Sequence, residues 1–213
     1  MSIQVEIWWD IMCPFCYIGK TRFEAALKQF PKRESVTVIY RSYELDPRAE
    51  RDIDQDVHDM LAAKYGMSRE QAKSMNDNVA QMAKEVGLAF DFDGMVLTNT
   101  FDAHRMIHWA STQGKQAEMA DRLFQAYFTE AKHVGEPAQL AALAGEIGLD
   151  AEAAAAMLAG SDFADAVRAD EHAAQQLGVR GVPFFLLNRK LAVTGAQSVD
   201  VFLDALQQSS GEA

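Results

Sequence analysis

The chain has 213 residues, 49% hydrophobic and 24% charged, a globular balance that excludes a disordered chain. Lys and Arg number 20 against 31 Asp and Glu, and the net charge of −11 argues against nucleic acid and anionic membrane as partners. No apolar run reaches transmembrane length, and Met1 leads into a strand-like segment with no secretory signal, so the expected location is cytoplasmic.

Ile3 to Ile11, IQVEIWWDI, is rich in Ile, Val and Trp and partly alternates, the pattern of a mostly buried strand. Cys13-Pro14-Phe15-Cys16 follows, and these are the only two cysteines. Pro14 suits the first helical position, where its missing N–H would have no partner. Phe23, Ala26, Leu27 and Phe30 then recur at helical spacing, and Pro31 closes the helix. Val36 to Leu45 reads as a second strand, ended by Asp46-Pro47. From about residue 52 to 178 the pattern is helical. One helix spans 55–65 and stops at Gly66. Ser68 and Gln71 fit a capping box that opens the next, running to Gly87. Asn99 opens a helix through Gln113, and further helices are expected at 116–131, 137–147, 151–159 and 162–177. Met75, Val79, Met82 and Val86 share one helical stripe, expected to face the core. Strands return at Val182 to Leu187 and Leu191 to Val193, joined by a turn at Asn188-Arg189. Gly195 breaks the second, Ser198 caps a last helix, and Ser209 to Ala213 should fray.

Strand–helix–strand, a helical block, then strand–strand–helix describes an α/β sheet domain of residues 1–46 and 179–213, interrupted by a helical domain at 47–178. Neither half of the sheet makes a stable core alone, so the two halves must come together.

The chemistry-bearing feature is the cysteine pair. At a helix N-terminus, unpaired N–H groups and the helix dipole favour an anion. A Cys13 thiolate should be stabilised there and stay reachable, and the thiolate is the attacking species in disulfide exchange. Cys16, one turn deeper, suits the resolving role. Pro14 removes an N–H that a sulfur could have used. Uncharged Phe15 stabilises a thiolate less than a histidine would. A static disulfide across so short a loop would stabilise little. A zinc site would need a second cysteine pair, and the five histidines are scattered. The redox reading is therefore favoured.

Other signals read as structural. His104 and His108 share a helix face but lack the glutamate of a metalloprotease motif. Asp52, Asp54 and Asp56 have no calcium-loop glycine or closing glutamate and read as a solvated helix entrance, and Asp91 and Asp93 as a loop. No metal is expected. Pro183, which cannot donate in a ladder, belongs at a strand start, where the Val182-Pro183 bond can be cis.

WWDIMCPFCYIGK, NTFDAHRMIHWA at 99–110, and GVRGVPFF followed by Gly195-Ala196-Gln197 together resemble the DsbA-like group of the thioredoxin superfamily, most closely its FrnE branch. The resemblance covers essentially the whole chain. It implies a thioredoxin fold carrying a large helical insertion, with Cys13 as nucleophile and Cys16 as resolving cysteine. Pro183 maps on the family's cis-proline, facing the cysteine pair. Val182 would offer backbone groups to an extended substrate, and Pro14 and Phe15 would flank it. His104, on a helix near the active-site side of the insertion, is a minor candidate for substrate contact. The implied activity is disulfide oxidoreductase or isomerase on protein or peptide thiols and disulfides. No resident cofactor is implied, although glutathione could serve as reductant or co-substrate.

Two further readings stay open. Kappa-class glutathione transferases and 2-hydroxychromene-2-carboxylate isomerases use a similar scaffold with glutathione on small aromatic substrates. There a serine usually stands in place of the first cysteine and the second is absent, so the intact pair argues for exchange. The other reading is a non-catalytic redox-sensing or chaperone-like module.

Overall fold

The structure, a computed structural model, describes residues 2–211. It divides into two compact units, residues 1–45 with 167–213, and residues 46–166.

The first unit is built on a four-stranded sheet in the order β2-β1-β3-β4. β1 (Ile3–Trp9) runs parallel to β2 (Val36–Ser42), and the crossover this requires is α1 (Pro14–Gln29). β3 (Phe184–Leu187) lies antiparallel to β1 and pairs with β4 (Leu191–Thr194) through a tight turn. Asn188 and Arg189 both take positive φ there, 50° and 55°, as a two-residue primed turn demands.

Side chains alternate across a strand, so the register decides what each face buries. Ile7 lies opposite Phe185, and their face packs on α1 and α9 (Val199–Ser210). The Phe185 ring is 5.5 Å from Phe23 of α1 and 4.6 Å from Phe202 of α9. Trp8 lies opposite Phe184, and it packs with Ala174, Val179 and Leu186 on the other face. Covering on both faces explains why β1 reads as a nearly continuous apolar run.

The helix on that second face is α8 (Ala164–Gln176). The sequence reading assigned residues 167–178 to the insertion, whereas the structure ties them to the sheet. Asp170 accepts the Ser42 N–H at 3.0 Å and pairs with Arg41 at 3.1 Å, and its carbonyl takes the Trp8 indole at 2.9 Å. Arg168 bridges Glu44 and Glu171. Helical periodicity marks such a segment as amphipathic but does not say which partner covers its apolar face.

The second unit holds α2 (Val57–Tyr65), α3 (Arg69–Glu85), α4 (Phe101–Ser111), α5 (Gln116–Phe128), α6 (Pro137–Glu146) and α7 (Ala151–Ala159). Asp56 caps α2, and Ser68 with Gln71 forms the expected capping box on α3. The Met75 stripe needs correcting: Met75 is exposed, and α3 buries Ala72, Asn76 and Ala83 instead, a stripe offset by one residue. Asn76 is buried because its amide donates to His58 Nδ1 at 3.0 Å, while His58 Nε2 meets Asp93 at 2.9 Å. Buried Arg105 collects the carbonyls of Met157 and Leu158 in the last turn of α7 and of Gly160 and Asp162 just beyond it, where a cation complements unpaired carbonyls.

Elsewhere α2, α8 and β3 start two residues later than expected, and several strands and helices stop one to three residues early. Thr100 rather than Asn99 stands at the N-cap of α4, with the Asn99 side chain accepting the Phe101 N–H at 2.9 Å. Ser209 and Ser210 close α9 instead of fraying, since Gly211 at φ 78° ends it, and residues 212–213 lie outside the described range. No described helix is long and apolar enough to cross a membrane.

Candidate active site

β1 ends at Trp9, and the chain turns into α1 through Asp10, whose carbonyl accepts the Cys13 N–H at 3.2 Å. The buried Asp10 carboxyl accepts the Leu45 N–H at 2.7 Å and so ties this turn to the segment that follows β2. Cys13 is the N-cap of α1, with φ −90° and ψ 110°, and Pro14 takes the first helical position. Both cysteines are free thiols. The Cys13 Sγ donates to the Val182 carbonyl at 3.6 Å. Val182-Pro183 is cis, as the resemblance implied.

Cys16 is the deeper of the two, 2% exposed against 5% for Cys13. The expectation of an open Cys13 sulfur is therefore corrected: its thiol is turned onto the Val182 carbonyl and largely covered. The exposed group is the Phe15 ring at 40%. Pro14 and Val182 are half-buried and Pro183 is buried.

Two neighbours hold the proline loop against α1, and sequence reasoning missed both. A Cβ on Gly19 would lie 3.0 Å from Pro183 Cγ and 3.3 Å from Ala196 Cα, tighter than ordinary contact, so a larger residue would have to push the proline loop back by a few tenths of an ångström. Arg22 donates to the Ala196 carbonyl at 2.7 Å, and Gly195 N–H donates to the Pro183 carbonyl at 2.8 Å. An isolated glycine inside a helical pattern was the available signal for Gly19. Asp10 and Arg22 carried none, because their partners are distant in sequence.

His104 lies fully buried in α4 of the second unit. Asp56 is a helix cap, and Asp52 pairs with Arg51 and His133. Among the described residues, no three His, Cys, Asp or Glu gather to hold a metal ion.

Burial pushes the Cys16 thiol well above its ordinary value, and a hydrogen bond and charge from Cys13 push it the same way. The folded chain then keeps this proton at a pH where the unfolded chain has lost it. The stabilisation is complete below the ordinary thiol value near 9 and is lost as pH rises toward the folded one. The reduced protein should lose up to about 1.4 kcal/mol of stability per pH unit above that point from this group. Urea unfolding at pH 8 and 10 checks it: Cys16→Ala should show a smaller loss than the parent, and an equal loss would remove Cys16 as the cause.

The family model of the DSBA-like thioredoxin domain matches residues 4–207. The chain belongs to that family. It thus stands among the DsbA-like thiol–disulfide oxidoreductases, with the expected thioredoxin fold and its helical insertion. This DsbA-like chain is 46% identical to a probable DsbA oxidoreductase from Streptomyces coelicolor, whose crystal structure superposes with a TM-score of 0.95 over 100% of this chain and 92% of that one. It is 29% identical to the uncharacterized protein YwbO of Bacillus subtilis (strain 168), over 97% of this chain and 96% of that protein. The fold also recurs in the cytosolic disulfide reductase DsbM of Pseudomonas aeruginosa solved with GSH, at a TM-score of 0.68 and 19% identity, covering 98% of this chain and 99% of that one.

Proposed function

We propose that the protein exchanges thiols and disulfides with protein or small-thiol substrates, with Cys13 as nucleophile and Cys16 as resolving thiol. The observation that carries this reading is the Cys13 sulfur at a helix N-cap, 3.6 Å from the carbonyl that precedes cis-Pro183. In the reducing direction a Cys13 thiolate attacks one sulfur of the substrate disulfide. A Cys13–substrate disulfide forms and the other substrate sulfur leaves as thiolate, taking up a proton. Cys16 then loses its proton and attacks the Cys13 sulfur. The substrate's second thiolate leaves, and two electrons have passed to the substrate. The raised Cys16 value fits a thiol that stays protonated until the mixed disulfide forms. The reverse sequence oxidises a dithiol substrate.

Both thiols are present, which favours exchange over glutathione transfer. The DsbM structure with GSH supports glutathione as a partner in the exchange.

Cys16→Ser tests the assignment. The variant retains the attacking sulfur but lacks the resolving one, so incubation with a disulfide-bonded protein should accumulate a covalent adduct that dithiothreitol releases. Mass spectrometry should place the adduct on Cys13. Its absence, with parent activity intact, would sink the mechanism.

A further inference from the structure

The loop that leads into Pro183 borders a cavity of ≈ 400 Å³, within the roughly 300–1,000 Å³ typical of ligand pockets. Its lining includes Val179, Arg180, Gly181, Val182, Pro183 and Thr194. Arg180 is exposed, and among the described residues it has no hydrogen-bond or ion-pair partner. Nothing lies within 4 Å of where a Gly181 Cβ would stand, so the cavity is open beside the backbone. No backbone acceptor among the described residues takes the N–H of Arg180, Gly181 or Val182. Arg180 is two residues from Val182, a backbone span of at most about 7 Å.

The charge pattern around this loop is unusual for the chain. From His172 to Val199 there is no Asp or Glu, although acidic residues outnumber basic ones 31 to 20 overall. Of the three cations in that stretch, Arg180, Arg189 and Lys190, Arg189 is spent on buried Glu6. A free guanidinium facing an open cavity in a carboxylate-free stretch is a receptor for a carboxylate, which it can hold by two parallel hydrogen bonds.

We propose that Arg180 is a specificity-determining residue, selecting disulfide substrates that carry a carboxylate next to the reacting sulfur. The proposal rests on exchange at Cys13 and deepens it by naming the substrate class. An acidic peptide and glutathione, which has its own carboxylates, present the same chemistry, and the test separates them.

The full chain, reduced beforehand, is mixed with peptide disulfides under single-turnover conditions, so that its own dithiol supplies the two electrons. Three blocked peptides differ only in Glu, Gln or Lys on either side of the cysteine. A second arm compares oxidised glutathione with its carboxyl-esterified form. The parent should reduce the Glu peptide about 3- to 5-fold faster than the Gln peptide and disfavour the Lys peptide, with the preference shrinking between 0.05 and 0.5 M salt. In Arg180→Gln the Glu-to-Gln ratio should fall to about 1, and Arg180→Lys should retain part of it. A preference confined to the glutathione arm and lost in Arg180→Gln assigns the carboxylate to the tripeptide. A ratio that is the same in parent and Arg180→Gln in both arms overturns the proposal while leaving exchange at Cys13 standing. A parent that transfers electrons to none of these disulfides overturns both.

Discussion

Replacing Cys13 by serine should lower kcat/KM for insulin disulfide reduction by about 10³-fold or more, while the protein still folds. The attacking species in exchange is a thiolate, and a serine hydroxyl remains protonated at any working pH and forms no disulfide. The substitution keeps the shape of the side chain and a donor for the Val182 carbonyl, so the packing around Pro183 should survive. Reduction of insulin with dithiothreitol as electron source, corrected for the uncatalysed rate, measures the loss. A Cys13→Ser protein within about tenfold of the parent would transfer the nucleophile to Cys16 and end the assignment made here. The comparison is sharper because Cys16 is deeper and its thiol is held protonated by burial, so it is a poor substitute attacker.

The largest expected effect on stability falls on Phe185. Its ring is fully buried between Phe23 of α1 and Phe202 of α9, at 5.5 and 4.6 Å. It therefore joins β3, which arrives late in the chain, to the helix that carries both cysteines. Phe185→Ala removes that apolar contact and leaves a cavity, at a cost of about 3–5 kcal/mol. At about 2–4 °C per kcal/mol for a chain of this size, the melting temperature should fall by roughly 6–20 °C. Urea unfolding of the reduced protein gives the free energy directly. A cost under about 1 kcal/mol would mean that the two helices do not close over the sheet as described.

How far the site was legible depends on whether each partner was local. Cys13 and Cys16 are three residues apart, and a strand pattern before them and a helix pattern after them were enough to set the thiols at a helix mouth. Pro183 at a strand start was also visible, since proline is barred from a ladder interior. Gly19 was visible only as a glycine inside a helix, with no hint that Pro183 would lie against it. The stretch around Arg180 is visibly empty of carboxylates, but only the structure sets Arg180 beside a cavity.

The sequence by itself determined the element order, the two-part sheet with its helical insertion and the chemistry of the cysteine pair. These follow from periodicity, proline and glycine placement and residue type, all properties of short windows. Only the tertiary structure decided that α8 covers the Trp8 face of the sheet, that the Cys13 thiol turns onto Val182, and that Gly19 and Arg22 brace the proline loop. Each of these joins residues about 160 or more positions apart, and such pairings are selected by the packing of whole faces, which no local pattern encodes.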